Sequence, residues 1–271
     1  MRFLRITVTV LFVVVLGVFI WYNVLSARTD KTYPVITIDQ DELVVPLGAS
    51  DADILAGVTA YDEKDGDLTG KLIVASISRF IEPGVSLVRY SVCDNDKHVS
   101  SASRRIIYEN YTAPRFTLSS SLVFPAAKSI DIRSVLGVFD QIDGDISGKL
   151  IITADDYSAK SAGVYFITAK VTNSKGDMIS RVFPVYVEDR ILSAPEITLK
   201  NYILYLPAGE ALDPAANLVS AVSTDGTDLR ALINIDTDLD TKTPGMYEVH
   251  YRVQDEAGRV GHVMLLVIVE E

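Results

Sequence analysis

The sequence predicts an all-β architecture: three tandem β-sandwich units behind one N-terminal membrane-spanning helix. Three observations lead there. A twenty-residue uncharged run stands near the N-terminus, a block of about eighty residues recurs three times after it, and each block alternates apolar with polar positions. The chain of 271 residues is 48% hydrophobic, enough for more than one packed core. Its formal net charge of −11 excludes nucleic acid as a partner, because phosphate binding requires clustered Lys and Arg.

The first element is the apolar run ITVTVLFVVVLGVFIWYNVL, residues 6–25. Its length matches the hydrocarbon core of a bilayer and exceeds the apolar core of a cleavable signal peptide. Trp21 and Tyr22 near its far end suit the headgroup layer, and Arg2 and Arg5 place residues 1–5 in the cytoplasm. Residues 6–25 therefore read as a signal-anchor helix, residues 26–33 as a linker, and all that follows as extracellular. The alternative is a long signal peptide cut after Ala27, for which Leu25 fits the small-residue rule poorly. Without residues 1–33 the formal charge falls from −11 to −14, so the remainder is strongly acidic. The single cysteine, Cys93, excludes an internal disulfide framework, and the expected cores are hydrophobic ones.

The repeats come next. YPVITID, APRFTLS and APEITLK open them, with Pro34, Pro114 and Pro195 in register. VPLGASD, FPAAKSI and LPAGEAL follow, aligning Pro46, Pro125 and Pro207, and EPGVSLVRYSVCD, SAGVYFITAKVTN and TPGMYEVHYRVQD close them. The units span 34–109, 114–188 and 195–270. In the closing runs Ser86, Val88, Tyr90 and Val92 take inward positions, as do Tyr165, Ile167, Ala169 and Val171, and Tyr247, Val249, Tyr251 and Val253. That period of two is the mark of a half-buried strand. The hairpin signals DNDKHVS, NSKGDMI and DEAGRVG then lead into a last apolar strand. Short strands separated by turn signals make a sandwich.

One motif within the repeat bears carboxylates. YDEKDGDLTGKL at 61–72 and FDQIDGDISGKL at 139–150 share seven of twelve positions, including D-x-x-D-G-D. In the third unit the stretch reads AVSTDGTDLRALI, where Asp225-Gly226 is aligned with Asp65-Gly66 and only the D-G step persists. Two readings stand. Glycine accepts a positive φ and aspartate bonds nearby amides, which makes a structural turn. Alternatively Asp62, Asp65 and Asp67, with Asp140, Asp143 and Asp145, are ligands of Ca²⁺, a cation that collects oxygen donors. A glycosidase pair fits poorly, since an active site is built once and this turn is repeated. Asp53, Asp131 and Asp213 recur as caps of short turns. His98, His250 and His262 read as solvated surface residues without ligand partners, and Cys93 as an outward-facing thiol.

The order P-x-I, D-x-x-D-G-D, P-G-x-Y-x-V-x-Y-x-V-x-D and a glycine hairpin resembles the bacterial Ig-like domain first described in pesticidal crystal proteins, related to hyalin-type and cadherin-like repeats. The resemblance covers nearly all of the chain past the apolar run. It implies three tandem Ig-like β-sandwich domains and a non-enzymatic role on the bacterial surface, as stalk, adhesive or protein-interaction module. A carbohydrate- or wall-binding accessory role is the alternative, and the implied partner is a protein or glycan at the cell surface. Two departures stand out: Asn173 replaces the hairpin aspartate in the second unit, and the third has lost most of the acidic turn. The linkers NYTA and DRILSA are short and not rich in Gly or Ser, so the units are expected as a semi-rigid line.

Overall fold

The computed structural model describes residues 2–28, 31–126, 131–154, 161–189 and 193–271. Parts of the 26–33 and 189–194 linkers, and the end of FPAAKSI, lie outside the described residues. Helix α1, Arg2–Arg28, contains the apolar segment Ile6–Val24, long and apolar enough to cross a membrane and without burial in the protein.

The remainder is built of β-strands. In the first repeat these are β1 (Val35–Ile38), β2 (Glu42–Val45), β3 (Val58–Asp62), β4 (Ile73–Glu82), β5 (Val85–Cys93) and β6 (Val99–Tyr108). The second repeat has β7 (Arg115–Leu118), β8 (Val123–Pro125), β9 (Leu136–Asp140), β10 (Ile151–Ala154), β11 (Gly163–Thr172) and β12 (Met178–Glu188). The third has β13 (Glu196–Leu199), β14 (Ile203–Pro207), β15 (Leu218–Val222), β16 (Asn234–Thr237), β17 (Gly245–Gln254) and β18 (Val260–Glu270). Each repeat makes one small antiparallel sheet from its first and third strands and one four-stranded sheet from the others, ordered β2-β6-β5-β4, β10-β11-β12-β8 and β14-β18-β17-β16. The short second strand runs parallel to the last one in every repeat. This is an Ig-like sandwich: the first and second strands, a few residues apart in the chain, enter opposite sheets.

Alternation decides which side chains enter that core. Val88 and Tyr90, Ile167 and Ala169, and Val249 and Tyr251 are each at most 1% exposed, as the period of two requires. The buried hydroxyls of Tyr90 and Tyr251 donate to the carbonyls of Ile54 and Pro214, so each closing strand is tied to a short turn across the sandwich. Those turns are capped as expected. Asp131 and Asp213 accept from the amides two residues on, while Asp53 bonds back to Ser50 in a capping box.

The chain divides into two compact units, residues 1–111 and 112–271. The expected line of separate repeats does not hold within the second unit. Met264 and Leu266 of β18 belong to the hydrophobic core of the second repeat, and Met246 and Ile203 pack against it. Leu265, Val267 and Val269, which alternate with them, fill the third repeat's own core. Strand β18 is therefore buried on both faces and joins the two repeats side by side.

Candidate functional site

The acidic turn connects the third strand of each repeat to a short 3₁₀ turn. In the first repeat Asp62, 1% exposed, accepts from the Lys64 and Asp65 amides through Oδ1, both at 2.9 Å. Asp65 Oδ2 accepts from the Asn95 amide of the hairpin at 2.7 Å, and Asp67 Oδ1 from the Thr69 amide at 2.8 Å. The second repeat repeats the plan. Asp140 Oδ1 accepts from Ile142 and Asp143, Asp143 bonds the Ser174 amide and hydroxyl together with Lys149, and Asp145 caps Ser147. These bonds favour the charged carboxylate. They hold Asp67 and Asp145 below the usual carboxylate range, through the hydroxyls of Thr69 and Ser147 first and their amides second.

Each of the six candidate calcium ligands thus has at least one oxygen engaged by an amide or hydroxyl donor. Among the described residues no group of three or more His, Cys, Asp or Glu side chains is placed to hold a metal ion. Asp62, Asp65, Asp67, Asp140, Asp143 and Asp145 each bond donors of their own turn or its neighbouring hairpin. Spacing of two and three in a tight turn aims Asp62, Asp67, Asp140 and Asp145 at the turn's own amides, while Asp65 and Asp143 reach the hairpin.

The third repeat corrects the alignment made from sequence. The Leu68 amide bonds the Ala60 carbonyl, Ile146 bonds Val138 and Leu229 bonds Ala221. Ser223 therefore takes the place of Asp62 and Asp140, and Asp228 that of Asp67 and Asp145. Asp228 Oδ1 accepts from the Arg230 amide at 3.0 Å, the same cap as in the other two repeats. Asp225-Gly226 is a D-G step one residue out of register. Gly226 supplies the left-handed residue (φ 91°) where Asp65 stands, whereas Gly66 (φ 75°) and Gly144 (φ 72°) supply it one position later. The shared feature is the capping aspartate, not the D-G pair.

A second cluster was not legible as a site. Strand β12 meets the outer face of β17 and β18 where the second and third repeats pack. His262, 1% exposed, bonds Glu188 through Nδ1 at 2.6 Å and His250 Nδ1 through Nε2 at 2.9 Å. His250 Nε2 lies 3.1 Å from Glu248 Oε2, which also accepts from the Tyr186 hydroxyl at 2.6 Å. Neither histidine is the solvated surface residue expected from its place on a polar strand face or beside a hairpin glycine, because the second repeat covers that face. The sequence signal was the unbroken apolar run VMLLVIV at 263–269, which marks a strand buried on both sides. Cys93 is exposed, as its outward position implies.

Residues 207–269 match a family model described as bacterial surface protein, Ig-like domain. The third repeat is similar to bacterial surface Ig-like domains. The first two share its strand order, so the chain after α1 is a tandem of Ig-like domains. Among curated proteins, the pesticidal crystal protein Cry22Aa of Bacillus thuringiensis is 30% identical over 123 residues, 44% of this chain and 16% of that protein. An uncharacterized 81.3 kDa protein of Acholeplasma phage L2 is 28% identical over 137 residues, 49% of this chain and 18% of that protein. The chain thus spans less than a fifth of the length of these relatives. Among solved structures, Drosophila N-cadherin EC1-4 overlays with a TM-score of 0.23 at 13% identity, covering 89% of this chain and 67% of that one.

Proposed function

We propose that this chain is a membrane-anchored bacterial surface protein whose Ig-like domains act as a stalk, an adhesive or a protein-interaction module without catalysis. The observation that carries the reading is one chain combining an apolar helix at Ile6–Val24 with a tandem of Ig-like domains, the last matching a surface-protein family. The acidic turns support it, since their carboxylates shape the backbone. Helix α1 holds the protein in the membrane with residues 1–5 inside, and the domains present their loops outside.

Cys93 makes the test simple, being the single cysteine and exposed. A membrane-impermeant maleimide applied to intact cells expressing the chain should label Cys93 without permeabilisation, and the labelled protein should sediment with membranes. Labelling that appears only after permeabilisation overturns the orientation, and labelled protein in the medium replaces the anchor with a cleaved signal.

A second reading, a carbohydrate- or wall-binding accessory module, is favoured by one groove in the 112–271 unit. It encloses about 480 Å³ and is lined by Arg115, Arg181, Tyr205 and Glu270 among others, a polar wall able to bond sugar hydroxyls. Against it, the Arg115 guanidinium lies 4.8 Å from the centre of the Tyr205 ring and takes the stacking face a sugar would use. Glycan-array binding that disappears in Arg181→Ala would favour this second role.

A further inference from the structure

The cluster between the second and third repeats contains more hydrogen-bond contacts than neutral imidazoles can fill. Three contacts run in series: Glu188 to His262 Nδ1, His262 Nε2 to His250 Nδ1, and His250 Nε2 to Glu248. Each needs one proton. Two ionised carboxylates and two neutral imidazoles supply two, and both are drawn to the outer nitrogens, where the carboxylates accept. The inner nitrogens would then face each other as lone pairs at 2.9 Å. We propose that the joint between the second and third repeats holds one further proton between His250 and His262, and that losing it loosens the packing of the two repeats.

Burial decides where that proton rests. His262 is enclosed, and desolvation lowers its proton affinity more than the Glu188 carboxylate restores it. His262 therefore stays neutral, donating from Nδ1 to Glu188 and accepting at Nε2. The two contacts left to His250 are then Nδ1 donating to His262 Nε2 and Nε2 donating to Glu248. Among the described residues, the groups facing the pair include Tyr186 and Glu188 from β12, Glu248 and Arg252 from β17, Asp236 opposite His250 on β16, and Asp238 just after it. Arg252, paired in register with His262, opposes a second proton there. Glu188 and Glu248 favour the first.

The joint is consequently tightest with one proton and weakens on both sides. In alkali the shared proton leaves and the inner contact becomes repulsive. In acid His262 opposes folding: its folded affinity is depressed, so its stabilising effect is full above the ordinary imidazole value of about 6.5 and fades as pH falls. Glu248, held below the usual carboxylate range by His250 first, acts in the same direction.

The test uses the full chain in detergent micelles, with ring-nitrogen NMR of its three histidines. At neutral pH one ring should show both nitrogens protonated and a second only Nδ1, with assignments removed by His250→Gln and His262→Gln. Raising the pH should convert the first ring to neutral and reduce protection of the Met264 amide, which bonds Ser121 across the joint, at least tenfold. In His250→Gln that alkaline loss of protection should vanish. Two neutral rings at pH 7, or Met264 protection unchanged across the step, overturns the proposal. Ring signals that change on adding EDTA overturn it in favour of a bridging metal ion.

Discussion

The acidic turns of the first and second repeats have the same backbone and different partners. In the second, Asp140 Oδ2 accepts from the Asn173 side-chain amide at 3.1 Å, so both oxygens of a fully buried carboxylate are satisfied. In the first, the hairpin residue corresponding to Asn173 is Asp94, which bonds the amide and ring of His98 instead. Asp62 Oδ2 is left buried without a hydrogen-bond partner among the described residues. One nitrogen-for-oxygen exchange thus separates a completed turn from an incomplete one. A repeated sequence motif transmits a backbone shape, and a residue outside it determines whether the buried charge is compensated.

The comparison is most strongly tested by making the second repeat like the first. Asn173→Asp would bring a second carboxylate against Asp140 and should cost about 3 kcal/mol at neutral pH. Denaturant unfolding followed by a probe in the second repeat would measure it, and a change below about 0.5 kcal/mol would break the comparison. The reverse change, Asp94→Asn, should supply the missing donor to Asp62 and stabilise the first repeat by about 1 kcal/mol. Thermal unfolding monitored in that repeat reports the sign, and destabilisation would show that the His98 contacts matter more. Next come the capping aspartates, shared by all three turns. Asp67→Ala, Asp145→Ala and Asp228→Ala should each lower the melting temperature of their own repeat, and the similarity of the three shifts tests the corrected alignment.

Acid should separate the third turn from the other two more gently. Asp228 is held at about 2, by the Arg230 side chain first, and Asp225 at about 2, by the Ser223 hydroxyl first. Both are depressed, so their stabilisation is present above the unfolded carboxylate value of about 4 and disappears as pH falls towards 2. A pH series of unfolding curves should show part of that slope lost in Asp225→Asn and the remainder lost when Asp228→Asn is added. The smallest effect concerns calcium. Because the turn carboxylates serve the backbone, millimolar Ca²⁺ should leave the melting temperature unchanged relative to chelator. A rise confined to the first two repeats would assign Asp62, Asp65, Asp67, Asp140, Asp143 and Asp145 as ligands.

Much of this architecture is local and was readable. The strand pattern, the capping roles of Asp131 and Asp213 and the exposure of Cys93 follow from period-two burial and short-range hydrogen bonding. The match of Asp65-Gly66 to Asp225-Gly226 misled for the same reason. Identity of letters selected one register, while the bonds from Leu68, Ile146 and Leu229 into the preceding strand select another.

By itself the sequence determined what nearest neighbours and periodicity control: an apolar helix, three repeated sandwiches and turns framed by aspartate. Tertiary structure decided what depends on surfaces meeting. The outer face of the four-stranded sheet carries Arg89, Ser103 and Arg105 in the first repeat and meets water. In the third the corresponding face carries His250, His262, Met264 and Leu266 and lies under the second repeat. Strand alternation says that such side chains share a face. Which body covers it, and hence whether two histidines are solvated or locked to carboxylates, is settled by contacts between residues more than sixty positions apart in the chain.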